Sequence, residues 1–180
     1  MTLSEVAQKL VAQGVSPSEV GQKLSNTDPN QRAYIIAKML VLGKDNIAET
    51  LEDLYQHNFG PIGEVLRFIP GNVPVIKAIC GGNAEWIAIL FKWAYDPECL
   101  PTVIGKICGT VSATTPGYSS MDEELLAGIL NKLYRRNLAT RRDLLREIWP
   151  SASPGTWQLI GCFVPKLEEV SPEVLERLGL

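Results

Sequence analysis

The chain has 180 residues, of which 46% are hydrophobic and 21% are charged, a balance that excludes a wholly disordered protein. The formal net charge is −3, so any contact with nucleic acid would need a local basic patch rather than a global field. The length suits a single domain, or one domain with a small appendage, and such a domain needs no disulfides to bury a core.

Targeting signals are not apparent in the residues. The first residues, MTLSEVAQ, have neither a basic start nor an apolar run, so no signal peptide is expected. The longest apolar stretch is interrupted by Lys92 and is too short to span a bilayer. The four cysteines form no Cys-x-x-Cys pair. We therefore expect reduced thiols in a cytoplasmic protein that does not enter a membrane.

Residues 1–26 are predicted to form a hairpin of two short helices. The first covers residues 4–13 and stops at Gly14, a residue that tolerates the left-handed backbone of a helix end. The second begins after Ser16, whose side chain can cap it, and Glu19 is placed to complete a capping box.

The polar segment 25–30 is the best boundary in the chain, and we expect residues 27–180 to form a single helical domain. Apolar periodicity predicts helices over residues 29–42 and 46–58. Glycine and proline are dense between residues 59 and 82. The short apolar pieces there are expected to be helical turns, because none alternates as a half-buried strand would.

Residues 83–96 are predicted to form a buried central helix. Asn83 is a suitable N-cap, and Pro97 ends the helix because the residue before a proline is pushed out of the helical region. Only Glu85 and Lys92 are charged within residues 83–95. A helix that is apolar on nearly every face is a buried helix.

Helical patterns continue to the end of the chain. Further helices are expected over residues 100–108, 120–136, 140–149 and 157–164, followed by a last short helix capped by Ser171. The sequence therefore predicts an all-α fold: a compact bundle of about ten short helices around the helix 83–96, with no significant sheet.

The run VAQKLVAQGVSPSEVGQKLSN, residues 6–26, resembles the opening two helices of bacterial helix-turn-helix domains. The resemblance implies that a third helix, starting within residues 28–34, would read the major groove. That segment holds one arginine, and the two preceding helices hold two lysines against two glutamates. Groove readers usually carry more phosphate-contacting charge. A hairpin of two capped helices without a DNA-reading role is the alternative.

Six of the 17 basic residues fall within 15 positions, opposed only by Asp143 and Glu147. We call this set the basic helix pair, and its members are Lys132, Arg135, Arg136, Arg141, Arg142 and Arg146. Arginine suits two-pronged contacts to carboxylates or phosphates, so the set is a candidate docking face for RNA, DNA or an acidic protein. The alternative is a solvated surface, partly neutralised by the acidic helix of residues 45–53.

No catalytic or metal-binding constellation stands out. The single histidine, His57, lies near a helix end, where an imidazolium would complement the helix dipole. The glycine pair within residues 80–83 lacks the spacing of a phosphate-binding loop, and a tight turn explains it. Trp86 and Trp93 share a helix face and are expected to pack in the core rather than hold a ligand. No metal, cofactor or enzymatic activity is expected.

We expect a non-enzymatic helical interaction protein, a subunit or adaptor of a larger assembly with a protein partner. The alternative is a nucleic-acid-binding protein that uses the basic helix pair, the helix-turn-helix-like N-terminus, or both. Acidic and basic faces on the same chain would also permit self-association.

Overall fold

The computed structural model describes residues 1–43, 46–56, 58–69, 73–81, 83–94, 132 and 169–180. These ranges contain eight α-helices and no strand, which confirms the predicted helical class. The helices are α1 (Leu3–Ala12), α2 (Pro17–Lys23), α3 (Pro29–Gly43), α4 (Ile47–Tyr55), α5 (Phe59–Leu66), α6 (Val73–Cys80), α7 (Ala84–Ala94) and α8 (Pro172–Leu178). None of the described helices combines the length and the apolar character needed to cross a membrane.

The chain divides into two compact units. Unit 1 consists of Met1–Pro70 and Cys162–Leu180, and unit 2 is Gly71–Gly161. Unit 1 is therefore built from both ends of the chain. The predicted N-terminal hairpin lies within it, because α1 and α2 both pack against α3.

Short polar side chains start the helices of unit 1. The Thr2 hydroxyl accepts from the Glu5 N–H at 3.2 Å, and the Glu5 carboxylate accepts from the Thr2 N–H at 2.8 Å. This complete capping box begins α1 one residue before the predicted start. Ser16 caps α2 as predicted, accepting from the Glu19 N–H at 3.2 Å. The Glu19 side chain does not accept a hydrogen bond from the Ser16 N–H, so the second capping box is only half present.

Helix α3 lies at the centre of unit 1, where it packs against α1, α2 and α5. Its buried residues cover most of its circumference, and they are Gln31, Ala33, Ile35, Ile36, Ala37, Met39 and Leu40. Asp28 holds the start of the helix, accepting from the Asn30 N–H at 2.8 Å. Residues 28–34, which the helix-turn-helix resemblance assigned to groove reading, thus form the start of α3, where residues 28–30 are exposed and Gln31 and Ala33 are buried.

Helix α4 is shorter than predicted. Asn46 caps its start, accepting from the Glu49 N–H at 3.4 Å. The helix ends at Tyr55, because Gln56 adopts a left-handed conformation with φ of 43°. Helices α5 and α6 then follow within the glycine- and proline-rich segment, so its described parts are helical rather than extended, as predicted.

Helix α8 closes unit 1. Ser171 caps it as predicted, and Val174 and Leu178 are its buried residues. The Val170 N–H donates to the Met1 carbonyl at 3.1 Å, so the two ends of the chain are hydrogen-bonded to each other. Helix α8 also packs against α2.

Unit 2 is described through α6 and α7, which pack against each other. Asn83 caps α7 as predicted, accepting from the Trp86 N–H at 3.1 Å. One side of α7 is buried through Ile87, Leu90 and Ala94. The helices expected within residues 100–164 lie outside the described residues. The number of ten helices and the central place of residues 83–96 therefore stay predictions.

Candidate functional site

Helix α7 presents an aromatic side that the sequence did not predict. Trp86 is 36% exposed and Trp93 is 46% exposed, so the expectation that both pack in the core is wrong. The two residues are seven apart, which is close to two helical turns, and they share this side with the exposed Glu85 and Lys92. We call these four residues the tryptophan face.

Trp86 and Trp93 are exposed because of the way in which side chains are arranged around α7. The buried residues Ile87, Leu90 and Ala94 provide a sufficient apolar stripe for packing. The tryptophans lie at the edge of that stripe, next to the charged positions. Apolar composition therefore predicted a deeper burial than the helix adopts, because composition does not say how many neighbours surround a helix.

Lys132 is the one member of the basic helix pair within the described residues. Its ammonium group lies 3.6 Å from a carboxylate oxygen of Glu85, at one end of the tryptophan face. Both side chains are more than half exposed, at 58% and 61%, so the pair contributes little to stability. The other five members, Arg135, Arg136, Arg141, Arg142 and Arg146, lie outside the described residues, and their role stays a prediction.

A second feature is an open pocket in unit 1, with a volume of about 560 Å³. Four helices form its walls: α2, α3, α4 and α5. Its main lining side chains are Ser18 and Gln22 of α2, Arg32 of α3, Leu54 and Tyr55 of α4, and Pro61 of α5. We call this the Arg32 pocket. Its walls thus combine one cation, several hydrogen-bonding groups and an apolar patch.

Electrostatics in the Arg32 pocket centre on two side chains. Burial raises the pKa of Tyr55 to about 12, and the nearby Glu64 charge adds to this, while the Arg32 charge opposes it. The phenol therefore keeps its proton at neutral pH and can donate a hydrogen bond. Arg32 is half-buried, and within the described part of the chain no carboxylate pairs with it.

Local packing fixes the wall that α2 contributes. A methyl group at Gly21 would lie 3.6 Å from Leu54, an ordinary contact, so α2 and α4 are close neighbours here. At the end of this wall, the Ser25 hydroxyl donates to the Gln22 carbonyl at 2.9 Å. The Arg177 guanidinium donates to the Ser25 carbonyl at 2.8 Å, which connects α8 to the same corner.

Sequence reasoning missed the Arg32 pocket, although part of its signal is visible. Ser18 and Gln22 are one turn apart on α2, and Ser25 in the turn after the helix continues this polar stripe. Nothing in the sequence shows that Arg32 lies opposite this stripe, because the pocket needs four helices to converge.

The remaining candidates from the sequence are the histidine and the glycine pair before α7. His57 lies outside the described residues. Cys80 is a buried thiol at the end of α6. The Asn83 N–H donates to the Cys80 carbonyl at 3.0 Å, and Gly81 has φ of 56°, as expected for a tight turn. The described residues contain no group of three or more His, Cys, Asp or Glu side chains arranged to hold a metal ion.

Comparison with protein-family models, with curated proteins and with solved structures gave no match to this chain. Function is therefore inferred from the tryptophan face, the Arg32 pocket and the charge pattern of the sequence.

Proposed function

We propose that the protein is a non-enzymatic helical interaction protein, a subunit or adaptor of a larger assembly, and that the tryptophan face of α7 contacts its protein partner. The observation that carries the proposal is the exposure of Trp86 and Trp93 on one side of a single helix. Tryptophan is among the residues most enriched at protein interfaces and at their energetic hot spots. The exposed part of each ring is apolar area that a protein partner would remove from water.

The surroundings of the two rings support this proposal. Ile89, which is half-buried, lies on the same side of α7, and the exposed charges of Glu85 and Lys92 flank the rings. An apolar centre with a charged rim is the usual composition of an interface. The Glu85–Lys132 ion pair adds a polar contact at one edge.

The test is a tagged purification from the native source, before and after nuclease treatment, of the wild type and of the double variant Trp86→Ala/Trp93→Ala. We expect a protein partner that survives nuclease treatment and is lost in the double variant. Removal of two hot-spot side chains should weaken binding by about 30-fold or more.

The matched control is Val11→Ala/Val41→Ala, which removes two other exposed apolar side chains, 36% and 38% exposed, from unit 1. This control should retain the partner. Circular dichroism and thermal unfolding of each variant verify that it is folded. A partner retained by the folded tryptophan variant would contradict the proposal.

Nucleic-acid binding is the second candidate, and the concentration of six basic residues within 15 positions favours it. The exposed Lys132 is the described end of that set. The basic helix pair, rather than the start of α3, would then supply the contacts. We expect salt-sensitive binding of DNA or RNA that disappears when Arg135, Arg136, Arg142 and Arg146 are changed to Glu. Absence of binding at low salt would exclude this candidate.

We also propose that about ten helices pack around residues 83–96 and that the protein is located in the cytoplasm. The buried thiol of Cys80 is compatible with a reducing compartment. Self-association through the acidic and basic faces is a further form that the interaction could take.

A further inference from the structure

Arg32 is the cationic group of the pocket between α2, α3, α4 and α5. Its side chain is half-buried, and it has no ion-pair partner among the described residues. Arg177, at the nearby corner, already has its own carboxylate, since its guanidinium lies 2.9 Å from Glu173. Partial burial of a guanidinium without a counter-charge is unfavourable, and an anion in the pocket would remove that cost.

The walls around Arg32 can orient a bound molecule. The protonated Tyr55 hydroxyl is a hydrogen-bond donor, and the side chains of Ser18 and Gln22 can both donate and accept. Leu54 and Pro61 supply an apolar surface on the α4 and α5 side. A few convergent polar groups beside an apolar wall are typical of a small-molecule site.

We propose that the Arg32 pocket binds a small monocarboxylic acid, with its carboxylate paired to the Arg32 guanidinium and its apolar part against Leu54 and Pro61. The planar guanidinium fork matches the geometry of a carboxylate and can form two parallel hydrogen bonds with it. This site lies in unit 1 and does not depend on the function proposed for the tryptophan face.

Charge and size favour a monocarboxylate over a phosphate. Arg32 offers one uncompensated positive charge, and the charge of Glu64 acts on the neighbouring Tyr55 from α5. A second negative charge on the ligand would be repelled. The volume of about 560 Å³ falls within the roughly 300–1,000 Å³ of small-molecule pockets. It is much larger than a bare ion needs.

The experiment is an NMR titration of the full-length, ¹⁵N-labelled protein with three probes: benzoate, its uncharged analogue benzamide, and inorganic phosphate. We expect benzoate to cause saturable shifts of the backbone amides of Gly21, Gln22, Arg32 and Leu54. Benzamide, which keeps the ring but lacks the charge, should cause none of these shifts. Phosphate should also leave them unchanged at the same concentrations.

Variants locate the charge that is responsible. Arg32→Gln should weaken benzoate binding by roughly tenfold or more, because a charge-assisted pair is lost. Lys23→Gln is the matched control. It removes one positive charge from an exposed position of α2 that does not line the pocket, and it should bind benzoate as the wild type does. Arg32→Lys keeps the charge but not the fork, and we expect intermediate binding.

Three results would overturn the proposal. One is equal binding of benzamide and benzoate, which would show that no charge is recognised. Another is binding of phosphate in place of benzoate, which would show a different anion class. The third is wild-type affinity in Arg32→Gln or, should that variant not fold, in Arg32→Lys.

Discussion

Gln31 shows how a single buried polar side chain joins distant parts of this chain. It is 8% exposed, and its amide oxygen accepts from the Ser171 N–H at 3.0 Å. Its amide nitrogen donates to the Asp28 carboxylate at 3.5 Å. The side chain thus links the start of α3 to the cap of α8, across 140 positions of sequence.

We predict that Gln31→Leu lowers the free energy of unfolding by about 1–2 kcal/mol, because the Ser171 N–H loses its acceptor in a half-buried position. The measurement is urea unfolding, combined with hydrogen exchange of the Ser171 amide, which should accelerate. Gln8→Leu, the same change at an exposed position of α1, is the control and should have little effect. Unchanged exchange at Ser171 in Gln31→Leu would show that this hydrogen bond is unimportant.

The raised pKa of Tyr55 predicts that the folded protein loses stability at alkaline pH. This pKa rises from 10.0 to about 12 in the folded protein, chiefly through burial. Below pH 10 the phenol is protonated in both states and adds no pH dependence. Between pH 10 and 12 the unfolded chain releases a proton that the folded chain retains, so stability falls as pH rises.

The loss between these pH values is on the order of 2–3 kcal/mol for a shift of this size. Comparison of the wild type with Tyr55→Phe isolates the effect, because lysine titration is common to both proteins. The unfolding free energy of the wild type relative to that of Tyr55→Phe should fall by this amount between pH 10 and 12 and stay constant below pH 10. A constant difference throughout would contradict a raised pKa.

At the scale of the helices, local signals predicted the starts of elements well. Ser16, Asn83 and Ser171 each cap the helix that the sequence assigned to them. A cap depends on one side chain and the next three backbone groups, so it is visible in sequence. The exposure of Trp86 depends on distant neighbours, which no local pattern indicated. The early end of α4 depends on one left-handed residue, Gln56, which no local pattern indicated either.

Helix α8 allows a prediction within one element. It has seven residues, too few for stability alone, so its place depends on its buried face. Leu178 is 5% exposed, and Leu178→Ala should lower the free energy of unfolding by about 2–4 kcal/mol. Leu175→Ala is matched in type and helix but alters a half-buried residue. Leu175→Ala should lower the free energy of unfolding by clearly less than Leu178→Ala does. Equal costs in urea unfolding would show that α8 does not pack through Leu178.

The division of the chain into two units could not be derived from the sequence. The polar segment near residue 26 is a stronger local boundary than the chain near Pro70, yet α1 and α2 pack on α3. Glycine, proline and short polar residues mark turns along the sequence, whereas a unit is defined by which helices pack together. The Arg32 pocket was unpredictable for the same reason, since its walls come from four separate helices.

The discontinuous unit 1 leads to a prediction about folding. Its described core includes Leu3, Leu10 and Leu24 from the N-terminal part and Val174 and Leu178 from the C-terminal part. These parts are also joined by the hydrogen bond between Val170 and Met1. A chain in which Gly71–Gly161 is replaced by a flexible Gly-Ser linker should therefore fold, because both parts of the core remain and the linker keeps their effective concentration high.

The matched comparison is a chain that carries the same replacement but ends before Glu169. It lacks α8 and its buried side chains, and this loss is on the order of 5 kcal/mol, comparable with the entire stability of a small domain. We expect a helical circular dichroism spectrum and a cooperative urea transition for the linker variant, and neither a cooperative transition nor dispersed NMR signals for the shorter chain. A linker variant that is itself unfolded would show that unit 1 needs Gly71–Gly161 in order to fold, and a shorter chain that folds equally well would show that α8 is dispensable.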